Sequence, residues 1–167
     1  IKLPNSRLVL KGPQFKSSSI GFEKIFSSMG IKNDRVEYHP IILNRHEHLR
    51  FYDKIDICLD PFPYNGTTTS LEALWMGVPI ITLCGERHAG RVGNTILKNL
   101  GLTNFISNDT TEYIEIANKM AKNPIYLSKL RKSLRTKFKN SFIGNSNLFA
   151  FNIEKEYLKM WKNYLDN

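Results

Sequence analysis

The sequence predicts an α/β protein: a Rossmann-like parallel sheet flanked by helices. Three observations lead there. Short apolar runs alternate with segments of helical periodicity along the 167 residues. Two of those runs, Ile55–Asp60 and Pro79–Leu83, are almost continuously apolar, the pattern of parallel strands covered on both faces. Finally, Gly30, Gly77 and Gly101 stand where helices should end, and Pro79 follows the second of them closely.

The elements follow in order. Strands are expected over Arg7–Lys11, Arg35–His39, Ile55–Asp60, Pro79–Leu83 and, more weakly patterned, Asn104–Ser107. Helices are expected over Ser19–Met29, Arg45–Tyr52, Thr67–Met76, Ala89–Leu100, Thr111–Lys122, Tyr126–Asn140 and Leu148–Leu165. The polar stretch Asn140–Asn147 is the one clear interruption, so residues 1–140 read as one Rossmann-like domain and 141–167 as a loop with a final helix. No internal repeat or low-complexity linker is visible.

Composition narrows the class. With 41% apolar residues and no long charge block, the chain should fold around a real core. No apolar run approaches the roughly 18 residues that cross a bilayer, and no signal-peptide pattern opens the chain. The first residue is not methionine, so a piece of a longer protein is expected. Cys58 and Cys84 read as two buried thiols in a reducing cytoplasm. The net charge of +9 is concentrated late: residues 126–167 carry 9 basic and 3 acidic side chains. Lys129, Arg131, Lys132, Arg135, Lys137 and Lys139 alternate with an apolar stripe of Leu127, Leu130, Leu134 and Phe138. That is a solvated helix face rather than a nucleic-acid patch, because no aromatic platforms are interleaved with the charges.

In an open α/β sheet, ligands bind beyond the carboxyl ends of the strands. Four segments leave such ends: Gly12–Gln14, Ile41–Arg45, Pro61–Thr69 and Cys84–His88. In the third, Gly66 permits a tight turn and close approach, and Thr67, Thr68 and Thr69 open a helix. A helix start offers unpaired N–H groups and the positive dipole end, which suit a diphosphate. The same letters also spell a capping box, with Thr69 as N-cap and Glu72 three residues on. Both readings stand on this stretch alone. If the helix begins nearer Gly66, Glu72 falls in its second turn and can accept hydrogen bonds from a ribose diol. Arg45, Arg87 and His88 are candidate phosphate or sugar contacts, with solvent-facing surface as the alternative for each. His46 and His48 lack a third ligand nearby, which argues against a metal; His48 is better suited to stack on a base. Nucleophile-elbow, Walker and Gly-x-Gly-x-x-Gly patterns are all absent.

The stretch Asp56–Thr69, continued by Glu72–Pro79 and Gly85–Gly93, resembles the SPINDLY/O-GlcNAc transferase-like family, glycosyltransferases of family 41 with the GT-B fold. The likeness is nearest to the bacterial SPINDLY-like branch and runs from Pro4–Leu8 to Tyr157–Trp161. It implies that the chain is the C-terminal, donor-binding half of two Rossmann-like halves. In that case the first strand of this half, the N-terminal half and the family's phosphate-binding lysine lie upstream. Residues 141–167 would then pack back toward that N-terminal half.

The resemblance also implies an inverting enzyme needing no cofactor or metal. It would transfer GlcNAc from UDP-GlcNAc to protein Ser or Thr, with tetratricopeptide repeats presenting the acceptor. SPINDLY-like O-fucosyl transfer from GDP-fucose is the alternative, and a non-catalytic nucleotide- or protein-binding module a further one. By position, Gly66 and Thr67–Thr69 would line the diphosphate and Glu72 would hold the ribose. The backbone at Ile42 and Leu43, with the His48 ring, would meet the base. Animal O-GlcNAc transferases have histidine at the Thr67 position and aspartate at the Glu72 position, and both differences point to the SPINDLY-like branch. No catalytic residue is assignable within these residues, so the chain by itself is expected to be inactive.

Overall fold

The computed structural model describes residues 3–16 and 19–166, without the side chains of Gln14 and Lys16. The chain forms two compact units, Ile1–Ile55 and Asp56–Asn167. All five predicted strands and all seven predicted helices are present, and each unit holds its own parallel sheet.

In the first unit, β1 (Leu8–Lys11) pairs with β2 (Val36–His39), Leu8 opposite Val36 and Lys11 opposite His39. Helix α1 (Ile20–Ser28) makes the crossover and ends at Gly30, whose φ of 72° is open to glycine without strain. Phe15 packs against Phe22 and Tyr38 with ring centroids 5.2 Å away in each case. The Arg35 guanidinium donates to the carbonyls of Leu3 and Ser6, fixing the chain start beside β2. Helix α2 (Arg45–Arg50) is capped by the Asn44 side chain, which accepts from the Glu47 N–H at 3.1 Å, and a 3-10 turn over Phe51–Lys54 extends it.

In the second unit, β3 (Cys58–Leu59), β4 (Ile80–Leu83) and β5 (Ile106–Ser107) lie in that spatial order, all parallel. The central β4 is buried as its sequence predicts. The expectation that β3 is covered on both faces fails. It shrinks to two residues, and Leu59 is 48% exposed, so the face that Leu59 presents is left partly open; within this unit β3 is also an edge strand, paired with β4 alone. Helix α3 (Thr68–Trp75) connects β3 to β4, and α4 (Val92–Asn99) connects β4 to β5. After them come α5 (Thr110–Ala121), α6 (Pro124–Lys139) and α7 (Ser146–Leu165). The start of α6 lies two residues earlier than its apolar stripe suggests, because Asn123 caps the Tyr126 N–H and Pro124 sits in the first turn, where its missing N–H costs nothing.

Leu74, Val78, Ile80, Ile81, Leu97 and Leu134 are at most 1% exposed and form the core, with α6 packed on α3 and α5. The basic face of α6 is partly engaged rather than wholly solvated. Arg131 donates to the Asp56 carbonyl, and Arg135 donates to the Trp75 carbonyl at 2.9 Å while lying over the Trp75 ring. Arg135 therefore places a cation at the negative end of the α3 dipole. Helix α7 buries none of its residues, and Phe149, Phe151, Leu158 and Trp161 are all more than half exposed. Among the described residues no helix is long and apolar enough to cross a membrane.

Candidate functional site

The segment after β3 turns sharply before α3 begins, and one carboxylate organises it. Asp60 closes the strand, 3% exposed. Its Oδ1 accepts the Gly66 N–H at 2.8 Å and the Ser70 hydroxyl at 3.3 Å, and its Oδ2 accepts the Thr82 hydroxyl at 2.7 Å. Its own carbonyl accepts the Tyr113 hydroxyl at 2.9 Å. Burial pushes the Asp60 carboxyl above its ordinary range, and the hydrogen bonds from Thr82, Gly66 and Ser70 work against that rise. The same burial, with the Asp60 charge adding to it, raises Tyr113; it also takes the Cys58 thiol to about 11, so Cys58 is no ready nucleophile.

Gly66 is glycine for reasons of space. A Cβ there would stand 2.6 Å from the Ser70 Oγ and 2.7 Å from the Thr69 Oγ1. The helix then starts at Thr68, with Thr67 as N-cap. The register is not that of the capping-box alternative on Thr69 and Glu72, because the helix begins earlier: Thr69 already sits inside it and Glu72 occupies the second turn. The Thr67 side chain makes no capping hydrogen bond. Ser70, Ala73 and Leu74 form the buried face of α3; Thr68 and Thr69 stand about 200° and 100° round the helix from Ser70, Thr67 precedes the helix as its N-cap, and all three are exposed.

The segment after β4 is fastened to this turn. Asn65, 1% exposed, donates its N–H to the Ala89 carbonyl at 2.9 Å, and its Oδ1 accepts the Gly93 N–H at 3.2 Å. Residues 85–90 close on themselves through Gly85 N–H to the Gly90 carbonyl and Gly90 N–H to the Arg87 carbonyl. Arg87 and His88 project from this closed loop and are exposed. The structure thus brings Gly66, Thr67–Thr69 and Glu72 onto one helix start, and bonds that start to the segment carrying Arg87 and His88.

The remaining candidates belong to the first unit. Ile42 is half-buried and Leu43 is 93% exposed, in the segment beyond the carboxyl end of β2. Arg45 opens α2 and is exposed. His48 is half-buried, its Nδ1 is 2.5 Å from the Lys11 Nζ, and its ring meets Tyr52 edge-on. Among the described residues no group of three His, Cys, Asp or Glu side chains gathers.

Residues 2–153 match the family described as Glycosyl transferase family 41. The chain belongs to glycosyl transferase family 41. Within the family it is 41% identical over 166 residues to the "Probable UDP-N-acetylglucosamine--peptide N-acetylglucosaminyltransferase SPINDLY" of Solanum lycopersicum, covering 98% of this chain and 18% of that protein. It is also 41% identical over 164 residues to the protein of the same name in Arabidopsis thaliana, covering 97% of this chain and 18% of the relative. Among solved structures, an O-GlcNAc transferase mutant of Thermobaculum terrenum superposes with a TM-score of 0.87 at 34% identity, over 96% of this chain and 31% of that one. The family-41 chain therefore spans about a fifth of the length of these curated relatives. Its parallel strands flanked by helices are those of the GT-B fold, as the resemblance implied.

Sequence reasoning found the helix start but missed what stands behind it. Asp60 reads as the last residue of an apolar strand, Thr82 as a β-branched strand residue and Gly93 as an ordinary helix position. One signal was available: a carboxylate ending an apolar run, just before a glycine-bearing turn, needs donors if it is buried.

Proposed function

We propose that this chain is the donor-binding portion of an inverting, metal-independent protein O-glycosyltransferase, transferring GlcNAc from UDP-GlcNAc to Ser or Thr hydroxyls of acceptor proteins. The observation that carries this reading is the exposed first turn of α3, whose N-cap Thr67 makes no side-chain cap. Its N–H groups and the hydroxyls of Thr67–Thr69 would receive the diphosphate, with Gly66 allowing close approach. Negative charge grows on that diphosphate as the acceptor hydroxyl attacks the sugar from the opposite face. Donors already in place stabilise it without reorganisation, the role a divalent cation has in other glycosyl transfers.

In the second turn, Glu72 would accept hydrogen bonds from the ribose diol. Arg87 and His88, on the segment bonded to the turn, would meet a phosphate or the sugar. From the first unit, the backbone at Ile42 and Leu43, the His48 ring and Arg45 take base and phosphate contacts on the strength of the family resemblance. We place the general base, the N-terminal GT-B half and acceptor-presenting repeats elsewhere in the full-length protein. Residues 141–167, with the apolar residues of α7, pack toward that other half. Cys58 and Cys84 form no disulfide, which suits a cytoplasmic protein. The likeness to SPINDLY proteins keeps O-fucosyl transfer from GDP-fucose as the second reading.

Calorimetry of the full-length protein with UDP and GDP tests both readings, the tighter nucleotide naming the donor. A Thr68→Ala, Glu72→Ala double variant should lose about 1–3 kcal/mol of nucleotide binding. Unchanged affinity in that variant refutes the site assignment, and binding of neither nucleotide by the unaltered protein refutes the donor-binding reading itself.

A further inference from the structure

We propose that Asp60 is the positioning residue of the diphosphate cradle: its carboxylate holds the Gly66 N–H and the Ser70 hydroxyl, and so sets where the first turn of α3 presents its donors. The inference rests on the reading of that turn as the nucleotide site. Each half of the carboxylate has a distinct task. Oδ1 gathers the turn, through Gly66 at 2.8 Å and Ser70 at 3.3 Å. Oδ2 is anchored in the sheet by the Thr82 hydroxyl at 2.7 Å, and Thr82 is fully buried on the central strand β4.

The backbone of Asp60 is equally fixed, its N–H donating to the Ile81 carbonyl at 2.9 Å and its carbonyl accepting from Tyr113. Gly93 in α4 closes the remaining side, since a Cβ there would stand 2.3 Å from both Oδ2 and the Thr82 Oγ1. Thus β4 and α4 fix the carboxylate, β4 and α5 fix its backbone, and the carboxylate fixes the turn. Ser70 faces inward to Asp60 while its neighbours Thr67–Thr69 face outward, so a shift of the Asp60 contacts moves the threonine hydroxyls with the helix end.

The arrangement separates geometry from charge. Asparagine at position 60 keeps an oxygen for Gly66 and Ser70, and the Thr82 hydroxyl can turn to accept from the new amide. It also removes a negative charge from beneath a site for a diphosphate. Alanine removes all three contacts and leaves a buried N–H and two hydroxyls without their acceptor.

The test uses the full-length protein, with UDP and GDP as probes in calorimetry and donor and acceptor KM from the same preparations. Asp60→Ala should weaken binding of the preferred nucleotide about tenfold or more and raise the donor KM, with the acceptor KM unchanged. Asp60→Asn should bind as tightly as the unaltered protein or more tightly. Thr82→Val, which frees Oδ2 without touching the turn, should weaken binding about threefold or more, and it carries the test if Asp60→Ala does not fold. Nucleotide affinity unchanged in Asp60→Ala or Thr82→Val, while the Thr68→Ala, Glu72→Ala variant loses it, overturns the positioning role and leaves the site reading standing. Unchanged affinity in all of these variants overturns both. Equal losses in Asp60→Asn and Asp60→Ala also overturn it, because geometry would then not be what Asp60 supplies.

Discussion

Gly93→Ala sets two opposed effects against each other. Gly93 lies in the first turn of α4, and alanine is the better helix former by about 0.5–1 kcal/mol. On that ground alone the substitution stabilises. The space is already taken, however. The added Cβ would sit 2.3 Å from the Asp60 Oδ2, 2.3 Å from the Thr82 Oγ1 and 2.8 Å from the Thr82 Cβ. Neither neighbour has room to retreat: Thr82 is fully buried on β4, and Asp60 is bonded from three directions. Overpacking of this kind costs about 1–3 kcal/mol, and parting the Thr82 hydroxyl from a carboxylate costs about 1.5–3 kcal/mol more. Because one movement relieves part of both, a net loss of about 2 kcal/mol is expected after the helix gain. Backbone hydrogen exchange reads such a loss locally. In the full-length variant, exchange in peptides covering β4 and the start of α4 should quicken about 30-fold. Protection that is unchanged or increased would refute the packing argument, leaving the helix propensity as the larger effect.

Two further outcomes follow. Leu134, fully buried where α6 meets the core, should cost about 2–5 kcal/mol as Leu134→Ala; hydrogen exchange in α6 reports it, and less than about a threefold change refutes the core assignment. The Asp60 carboxyl sits above its ordinary value of 3.8 in the folded protein, so the folded state holds that proton more tightly than the unfolded state. Its contribution is therefore greatest below 3.8 and is lost as pH rises through the raised folded value. In parallel thermal melts, the unaltered protein should lose Tm relative to Asp60→Asn as pH rises from 3.8, the two curves then running parallel; a constant difference throughout would refute the shift.

Much of the fold was legible because its signals are local. Helix ends at Gly30, Gly77 and Gly101 need only a residue that accepts positive φ, and each is observed there, at 72°, 80° and 67°. The burial of β4 could be read because its apolar run is central in its sheet. The same type of run at β3 misled, since apolar letters do not say what packs on each face of a strand. The helix start at Thr67–Thr69 was legible as a choice between a capping box and an exposed cradle. Its register sets the box aside: with Thr67 as N-cap, the third helical position is Ser70, and Glu72 lies two residues past it.

The sequence by itself determined the alternation of strands and helices, the family, and the place of the polar turn at a strand's carboxyl end. Each of these depends on residues within a few positions of one another. Only the tertiary structure decided what holds that turn. Asp60, Thr82, Gly93 and Tyr113 come from four separate segments, and no periodicity links them. What joins them is one buried residue: Thr82 donates to the Asp60 carboxylate, Tyr113 donates to its backbone carbonyl and Gly93 leaves it room, and the three become neighbours only when β4, α4 and α5 have packed around it.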